Sequence, residues 1–598
     1  MSSSPRTSTI DRGIAITSGA YQHIGDLWAK RDWLVERQRH EKARIETVTR
    51  VVTGDWQTEW PDLSQTPEAP SVANIVEMGV NHWAAIGGAM LPSVTVPVNV
   101  SEDRSQAKRG ARKRERRIRE LWEKSNLSEK SAMFWGDYAG AGSPIGGVWA
   151  NFSEPDPAKR DPYIMRFDPR HTYPLKDNLG NITELLVARR IEKGELAAME
   201  CGDTFEKSRT EDVEEWFWYT KDRFLHILVD TSKDAKKKNR NVVLVDEENK
   251  LGFVPAYELV RPTFDGTRRG IFDQTIHILR TMQRLMLLTI FSTEENAFPA
   301  IATYDVQNPG DFGPGAILQM RSAEAKVERI GPSNHFDVKN TLGMLADDAR
   351  TQSAFPQQLT GNPGASIVSA RGINASMGQL DARLALAHKG FEVFFGKLAG
   401  MLLAVDEVYC HGDKKIFGDL NDDTPGEAWN PERDVNGAWV AKATYGIGAG
   451  SDPQNVETRL AMHFSNRVIS LETYRAQLPF LEDPGAEPVK ILREAMQDSV
   501  IAGVLAQAQQ GDPTMAAEAL KVLTSDDLDI DSVIQKLIEI VAPQAPEGQG
   551  GGALDALQGA ESLARGGIPG SAEQAPPGGG LGLPPLGAMM GQDSRQAV

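Results

Sequence analysis

The chain has 598 residues, which at roughly 150 per domain allows about four domains, and its 40% apolar and 25% charged residues describe a folded globular protein. Acidic residues outnumber basic ones by 82 to 65, giving a net charge of −17, which argues against a protein that grips phosphates over a broad face. Two cysteines, Cys201 and Cys410, are too few and too far apart for a disulfide framework or a thiolate metal site, and no apolar run reaches the ~18 residues of a membrane span.

The start of the chain, Met1 to Arg12, is polar and has no hydrophobic signal core, so the expected setting is reducing, in the cytosol or a virion. From Ala20 to Arg50, apolar positions at Leu27, Trp28, Leu34 and Val48 predict a long surface helix. A second helix is expected at Val72 to Leu91, stopped by Pro92 and followed by a strand alternating at Val94, Val96, Val98 and Val100. Basic residues crowd Arg104 to Arg119, and the same segment runs on through Ile118, Leu121 and Trp122 as one helix. Its charge reads either as a nucleic-acid patch or as a solvated or inter-subunit face, and the second reading is the default for such runs.

From Gly146 to Gly252 the period changes to two. Strands are predicted at Pro162 to Phe167, Ile182 to Ile191, Glu215 to Tyr219, Arg223 to Val229 and Asn241 to Val245, with turn residues between them. Ile271 to Phe291 carries a wide apolar stripe and predicts a helix packed on more than one side. Glycines and prolines then interrupt Asn296 to Pro332, where strand-like pieces stand at Ala300 to Tyr304 and Ala316 to Met320. A helix resumes at Val338 and stops at Phe355-Pro356.

Gln357 to Ala375 is rich in Gly, Ser and Asn and predicts an exposed loop. Met377, Leu380, Leu384, Ala387, Phe391, Phe394, Leu398, Met401, Val405 and Val408 then alternate spacings of three and four, as a packed helix on the order of 48 Å long does. Short strands are expected at Lys415 to Phe417 and Ala438 to Tyr445. Helices follow from Pro453 to Val541, with Ser470 placed as an N-cap. Beyond Pro543 the composition of Gly, Pro, Ala and Gln cannot offset ordering entropy, and a disordered tail is expected.

The sequence contains no phosphate-binding G-x-x-x-x-G-K-[ST] loop, no G-x-G-x-x-G, no H-E-x-x-H and no G-x-S-x-G elbow. The best catalytic candidates are Asp406, Glu407, His411 and Asp413, which together have donors for a divalent metal but also suit a solvated helix end. Asp347 and Asp348 are adjacent on a helix and point apart, so they are not a paired acid and base. His82, His277 and His388 are isolated and read as structural residues.

The order of helix, small β-insert, helix, glycine-rich loop, long helix and helical C-terminus resembles the portal proteins of tailed bacteriophages. Local patterns agree: Phe167-Asp168-Pro169 with Tyr173-Pro174 and Asp177-Asn178-Leu179-Gly180-Asn181-Ile182, and Phe253-Val254-Pro255 through Arg261-Pro262 to Gly270. Ile469-Ser470-Leu471-Glu472-Thr473 with Leu481-Glu482-Asp483-Pro484 and Glu487 completes a resemblance that covers about residues 20 to 540.

The resemblance implies a multi-domain α+β portal fold. Its regions would be an N-terminal wing portion (1–265), a first stem helix (266–295), a clip (296–335), a second stem helix (336–353) and a tunnel loop (354–375). A long wing helix with closing strands (376–450), a helical crown (451–543) and the tail (544–598) would complete it. It further implies a ring, usually a dodecamer, at one capsid vertex of the virion, assembled in the host cytoplasm, through which double-stranded DNA passes. Expected partners are the terminase large subunit, head-completion or adaptor proteins, and the major capsid and scaffold proteins, with no membrane, no cofactor, no metal and no catalytic residue.

Within that resemblance, Gln357, Gln358, Asn362, Ser366, Ser369 and Arg371 would face DNA, and Asp305, Gln307, Asn308, Asp311 and Phe312 would dock the motor or adaptor. Twelve copies at −17 carry on the order of 200 formal negative charges, which favours sliding of a duplex over sticking. Two other readings stand beside it: another virion structural protein, such as a minor capsid or connector component, or a metal-dependent nucleic-acid enzyme using Asp406, Glu407, His411 and Asp413.

Overall fold

The computed structural model describes residues 18–63, 72–98, 104–152, 154–191, 213–231, 241–297, 300–307, 320–330, 338–353, 370–416, 426–445 and 453–478, together with 487, 491 and 495. The chain divides into two units, Met1–Glu482 and Asp483–Val598. All elements named below belong to the first; in the second, Glu487, Ile491 and Ala495 are helical. The expected crown at 451–543 therefore straddles the division, and the expected tail lies outside the described residues.

The described chain is a mixed α+β protein with several small antiparallel sheets. It opens with α1 (Ser18–Arg37), α2 (Arg39–Val52), α3 (Trp56–Glu59) and α4 (Ile75–Gly88). The single helix expected from Ala20 to Arg50 breaks at Gln38, whose buried amide turns inward to donate to the Pro174 carbonyl at 3.0 Å. β1 (Ser93–Thr95) leads to α5 (Arg104–Lys124) and α6 (Leu127–Gly140).

Next come β2 (Ile145–Ala150), β3 (Pro162–Phe167), β4 (Thr172–Lys176), β5 (Ile182–Arg190), β6 (Val213–Thr220), β7 (Arg223–Asp230), β8 (Asn241–Glu248) and β9 (Ala256–Glu258). β4 to β8 form a five-stranded antiparallel meander in sequence order, and β3, β2 and β9 form a second sheet with β2 at its centre. Alternation decides the two faces of β6. Trp216 and Trp218 pack with Leu34 of α1, and the edge of Trp28 meets Trp216 at 4.9 Å. Tyr219 points the other way, to Trp149 and Phe224 in the main core.

α7 (Asp273–Ala297), β10 (Ala300–Tyr304), β11 (Lys326–Ile330), α8 (Val338–Ser353) and α9 (Ala370–Tyr409) follow. The first unit closes with β12 (Lys414–Ile416), β13 (Glu427–Trp429), α10 (Pro431–Val435), β14 (Lys442–Thr444), α11 (Pro453–Ser465) and α12 (Leu471–Gln477). Ser470 caps α12 as expected, its hydroxyl accepting from Thr473 N at 3.1 Å.

α9 is longer than the predicted Met377 to Val408. Its 40 residues span roughly 60 Å at 1.5 Å per residue, and residues 370–375, expected as loop, are already helical. Leu380, Leu384, Ala387, Phe391, Phe394 and Leu398 are buried in the predicted register. From Phe394 to Asp406 burial spreads round the helix to include Phe395, Ala399, Leu402, Leu403 and Ala404. α9 is thus the axis of the main core: Phe391 stacks on Trp135 of α6 at 4.1 Å, and Phe394 meets Phe134 edge-on at 4.9 Å.

Candidate functional site

The described parts of the segments that the resemblance assigns to stem and clip make up one excursion of two helices and a β-ribbon. α7 leads into β10, β11 leads into α8, and α8 packs along α7. β10 and β11 pair antiparallel, with Ala300 opposite Ile330 and Tyr304 opposite Lys326. Of the second strand expected at Ala316–Met320, residues 316–319 lie outside the described residues, and Met320 makes an isolated bridge to Val306. Lys326-Val327-Glu328-Arg329-Ile330 is mostly charged, which suits a solvent-facing ribbon and conceals it from a search for apolar alternation.

The root of α7 is fixed from several directions. Phe272 is fully buried, and Ile271 N donates to the Ala139 carbonyl of α6 at 2.7 Å. Asp273 stands in the first turn, where the helix dipole favours a carboxylate, and one Arg44 nitrogen reaches both its oxygens at 2.7 Å. The other Arg44 nitrogen donates to the Ala141 carbonyl at 2.8 Å. Burial raises the Asp273 carboxyl above its usual range even against the pull of Arg44. Arg261 clamps the Arg269 and Gly270 carbonyls, and Arg268 bridges Glu41 and Glu258. Gly270 lies so close to α6 that a Cβ would stand 2.0 Å from the Gly140 carbonyl oxygen.

Away from this root burial falls off. α7 buries Ile276, Leu279, Met282 and Leu287 but leaves Leu288 and Phe291 exposed by 54% and 41%. On α8, Ala349 and Ser353 are buried while Met344 is 69% exposed, and Tyr304, Met320 and Val327 of the ribbon region are exposed as well. α7 carries three carboxylates and two guanidinium groups, and α8 two carboxylates and two cations. The stem is therefore close to neutral, and the acidic wall inferred from the net charge of −17 does not extend to these two helices.

Of the residues expected to dock a partner, Asp305 and Gln307 lie at the end of β10 and are exposed. Asp305 takes a left-handed φ of 56°, which Asp tolerates better than most residues, and its carbonyl accepts from Arg321 N. Asn308, Asp311 and Phe312 lie outside the described residues. So do Gln357, Gln358, Asn362, Ser366 and Ser369; Arg371 belongs to the first turn of α9. The tunnel-loop group is thus not brought together by the described residues.

Asp406, Glu407, His411 and Asp413 do not converge. Asp406 is fully buried and binds Arg117 through both oxygens at 3.0 and 3.1 Å, Lys414 at 3.2 Å and the Trp429 indole at 2.9 Å. Glu407 accepts from Gly437 N and from the Trp439 indole, His411 pairs with Glu432 at 2.9 Å, and Asp413 accepts from the Asn430 amide. Among the described residues no group of three or more His, Cys, Asp or Glu is placed to hold a metal ion.

Sequence reasoning missed the role of Arg117. It sits in the basic run of α5, yet it is 1% exposed and also reaches Asp161 at 2.6 Å and Glu120 at 3.4 Å. Burial disfavours its charge, but Asp406 and Asp161 more than compensate and raise its pKa. The Asp161 carboxyl, though partly desolvated, is lowered to about 2 by Arg117 and Lys124. The signal available in the sequence was register: Arg117 is followed by Ile118 and stands four residues before Leu121, on the inward side of α5. Lys113 and Arg116 pair with Asp434 and Glu427, so with Arg117 three cations of the basic run are matched by carboxylates of this chain.

His388 fits its expected structural role. It packs against Trp135 and Tyr445, and burial lowers its pKa to about 4, leaving it neutral at ordinary pH. No helix among the described residues is long and apolar enough to cross a membrane. No family model matches the chain, and no curated protein matches it.

Proposed function

We propose that this chain is a portal-type subunit, with wing, stem, clip and crown regions, that assembles into a ring around a channel for double-stranded DNA. The observation that carries this reading is the excursion of α7, the β10–β11 ribbon and α8, rooted in the body at Asp273 and followed by a 40-residue helix. A helix pair around a small ribbon buries too little apolar surface to stand alone. The exposed Leu288, Phe291 and Met344 supply a flank against which an adjacent copy packs. Repeated around an axis, such a heterologous contact closes into a ring.

In this reading the stem helices line and brace the channel. Their near-neutral charge offers a passing duplex few fixed cations, so few counterions are released and the DNA is not held in place. Low friction comes from scarce cations rather than from a strongly acidic wall. The exposed ribbon, with Asp305 and Gln307, is the docking surface for the ATP-driven terminase large subunit and later for head-completion proteins. The wing and crown meet capsid and scaffold proteins. The chain itself hydrolyses nothing in this scheme.

A packaging assay tests the reading. Capsids assembled without the chain should contain no DNA, and capsids carrying Gln357→Lys, Gln358→Lys and Ser369→Lys together should package slowly. DNA-filled capsids that lack the chain would refute the function, and an unchanged rate in the triple variant would refute the sliding argument.

A further inference from the structure

Asn436 and Gly437 are the one Asn-Gly pair in the 598 residues. They occupy the turn that leaves α10: Asn436 has φ 45° and ψ 52°, Gly437 has φ 74°, and Ala438 N donates to the Val435 carbonyl at 3.0 Å. A positive φ at both central residues is the type I′ pattern, which Asn-Gly adopts with little strain. Both residues are exposed, and the Asn436 side-chain amide meets no partner among the described residues.

The same pair is chemically labile. The backbone nitrogen that follows an asparagine attacks the side-chain amide carbon and forms the new C–N bond of a five-membered succinimide. The amide nitrogen leaves as ammonia, which carries off the proton of the attacking nitrogen. Water then opens the ring at either carbonyl and gives aspartate or isoaspartate. Glycine favours the attack because it has no side chain to crowd the nitrogen.

Here the fold holds the reacting atoms apart. Closure needs Gly437 N on the same side of the Asn436 Cα–C bond as Cβ, and a ψ of 52° puts it on the opposite side. Gly437 N also donates to Glu407 of α9, 3.1 Å from each carboxylate oxygen, and the same carboxylate accepts from the Trp439 indole. The nitrogen attacks only after the turn rotates and that hydrogen bond breaks. We propose that Asn436 is a modification site gated by this clasp: it deamidates when the turn from Val435 to Ala438 opens, and Glu407 keeps the turn shut. Either product adds a carboxylate within a residue of the Glu407 contact, where like charges repel. Isoaspartate also lengthens the main chain between α10 and β14. Asp434, two residues before the site, is the partner of Lys113, so the reaction weakens the attachment of α5 to α10. The proposal is independent of the channel reading.

The test is peptide mapping by mass spectrometry of the full-length chain, incubated at mildly alkaline pH both natively and in urea. Deamidation at Asn436 should be at least about tenfold slower in the native chain, because local opening precedes it. Glu407→Ala removes a hydrogen bond to a charged acceptor and should speed the native reaction roughly tenfold, with the rate in urea unchanged. Glu407→Gln keeps an acceptor and should fall between the two, and it carries the comparison if the alanine variant does not fold. Aspartate and isoaspartate should appear together, since both come from the succinimide. Equal rates in the native chain and in urea would overturn the proposal. So would a native rate indifferent to the Glu407 variants, or aspartate formed without isoaspartate.

Discussion

At Asp406 two buried cations, Arg117 and Lys414, and the Trp429 indole share one carboxylate, tying α5, β12 and β13 to the end of the axial helix. Asp406→Ala leaves both cations without their main partner in a site that water does not reach, and should cost about 3–5 kcal/mol, read as a fall in Tm. A loss below about 1 kcal/mol would mean that the network rearranges around the gap. Asp161 adds a pH dependence. Its folded carboxyl lies near 2 against an ordinary 3.8, so its stabilisation is complete above pH ~4 and fades as pH falls through 2. Asp161→Asn should therefore melt earlier than wild type at pH 7, by on the order of 2 kcal/mol at most, and the gap should close on acidification. A gap that is constant from pH 7 to pH 2.5 would contradict the assignment.

Among the elements, those that follow one clean period were readable from sequence. The α9 stripe, the β5 to β7 alternation and the apolar face of α7 all appear where their spacing puts them. The elements that escaped are those whose burial hides the period. β2, Ile145–Ala150, is buried on both faces and contains Gly146-Gly147, so it neither alternates nor avoids turn residues. β13 and α10 lie in a Pro- and Asp-rich stretch that reads as loop. The site was legible only as an order of elements. Which strand pairs with β10, and that Arg117 and Asp406 are partners across 289 residues, depend on contacts that no local window contains.

The excursion makes two predictions at this scale. Gly270→Ala would press a methyl group into the Gly140 carbonyl and should destabilise by about 1–3 kcal/mol, seen as a lower Tm. Leu288→Asp with Phe291→Asp changes residues that are already exposed in the single chain. The secondary structure and melting of the isolated subunit should therefore be kept while higher oligomers disappear on native mass spectrometry. Oligomers that survive this double change would mean that the outer half of α7 is not the contact between copies.

For the whole molecule, a net charge of −17 sits on a fold whose stem is near neutral and whose α5 is basic, so the negative excess lies elsewhere on the chain. Long-range repulsion between copies should make assembly depend on salt, with more oligomer at about 0.5 M than at about 0.05 M as screening shortens its reach. The most direct measurement is electron microscopy of the purified full-length protein at the higher salt, with class averages of end-on views. Rings of about twelve subunits around a hole wide enough for a duplex are the predicted result. A compact particle of any size without a central hole, or a monomer that stays monomeric with scaffold and capsid protein added, would contradict the channel.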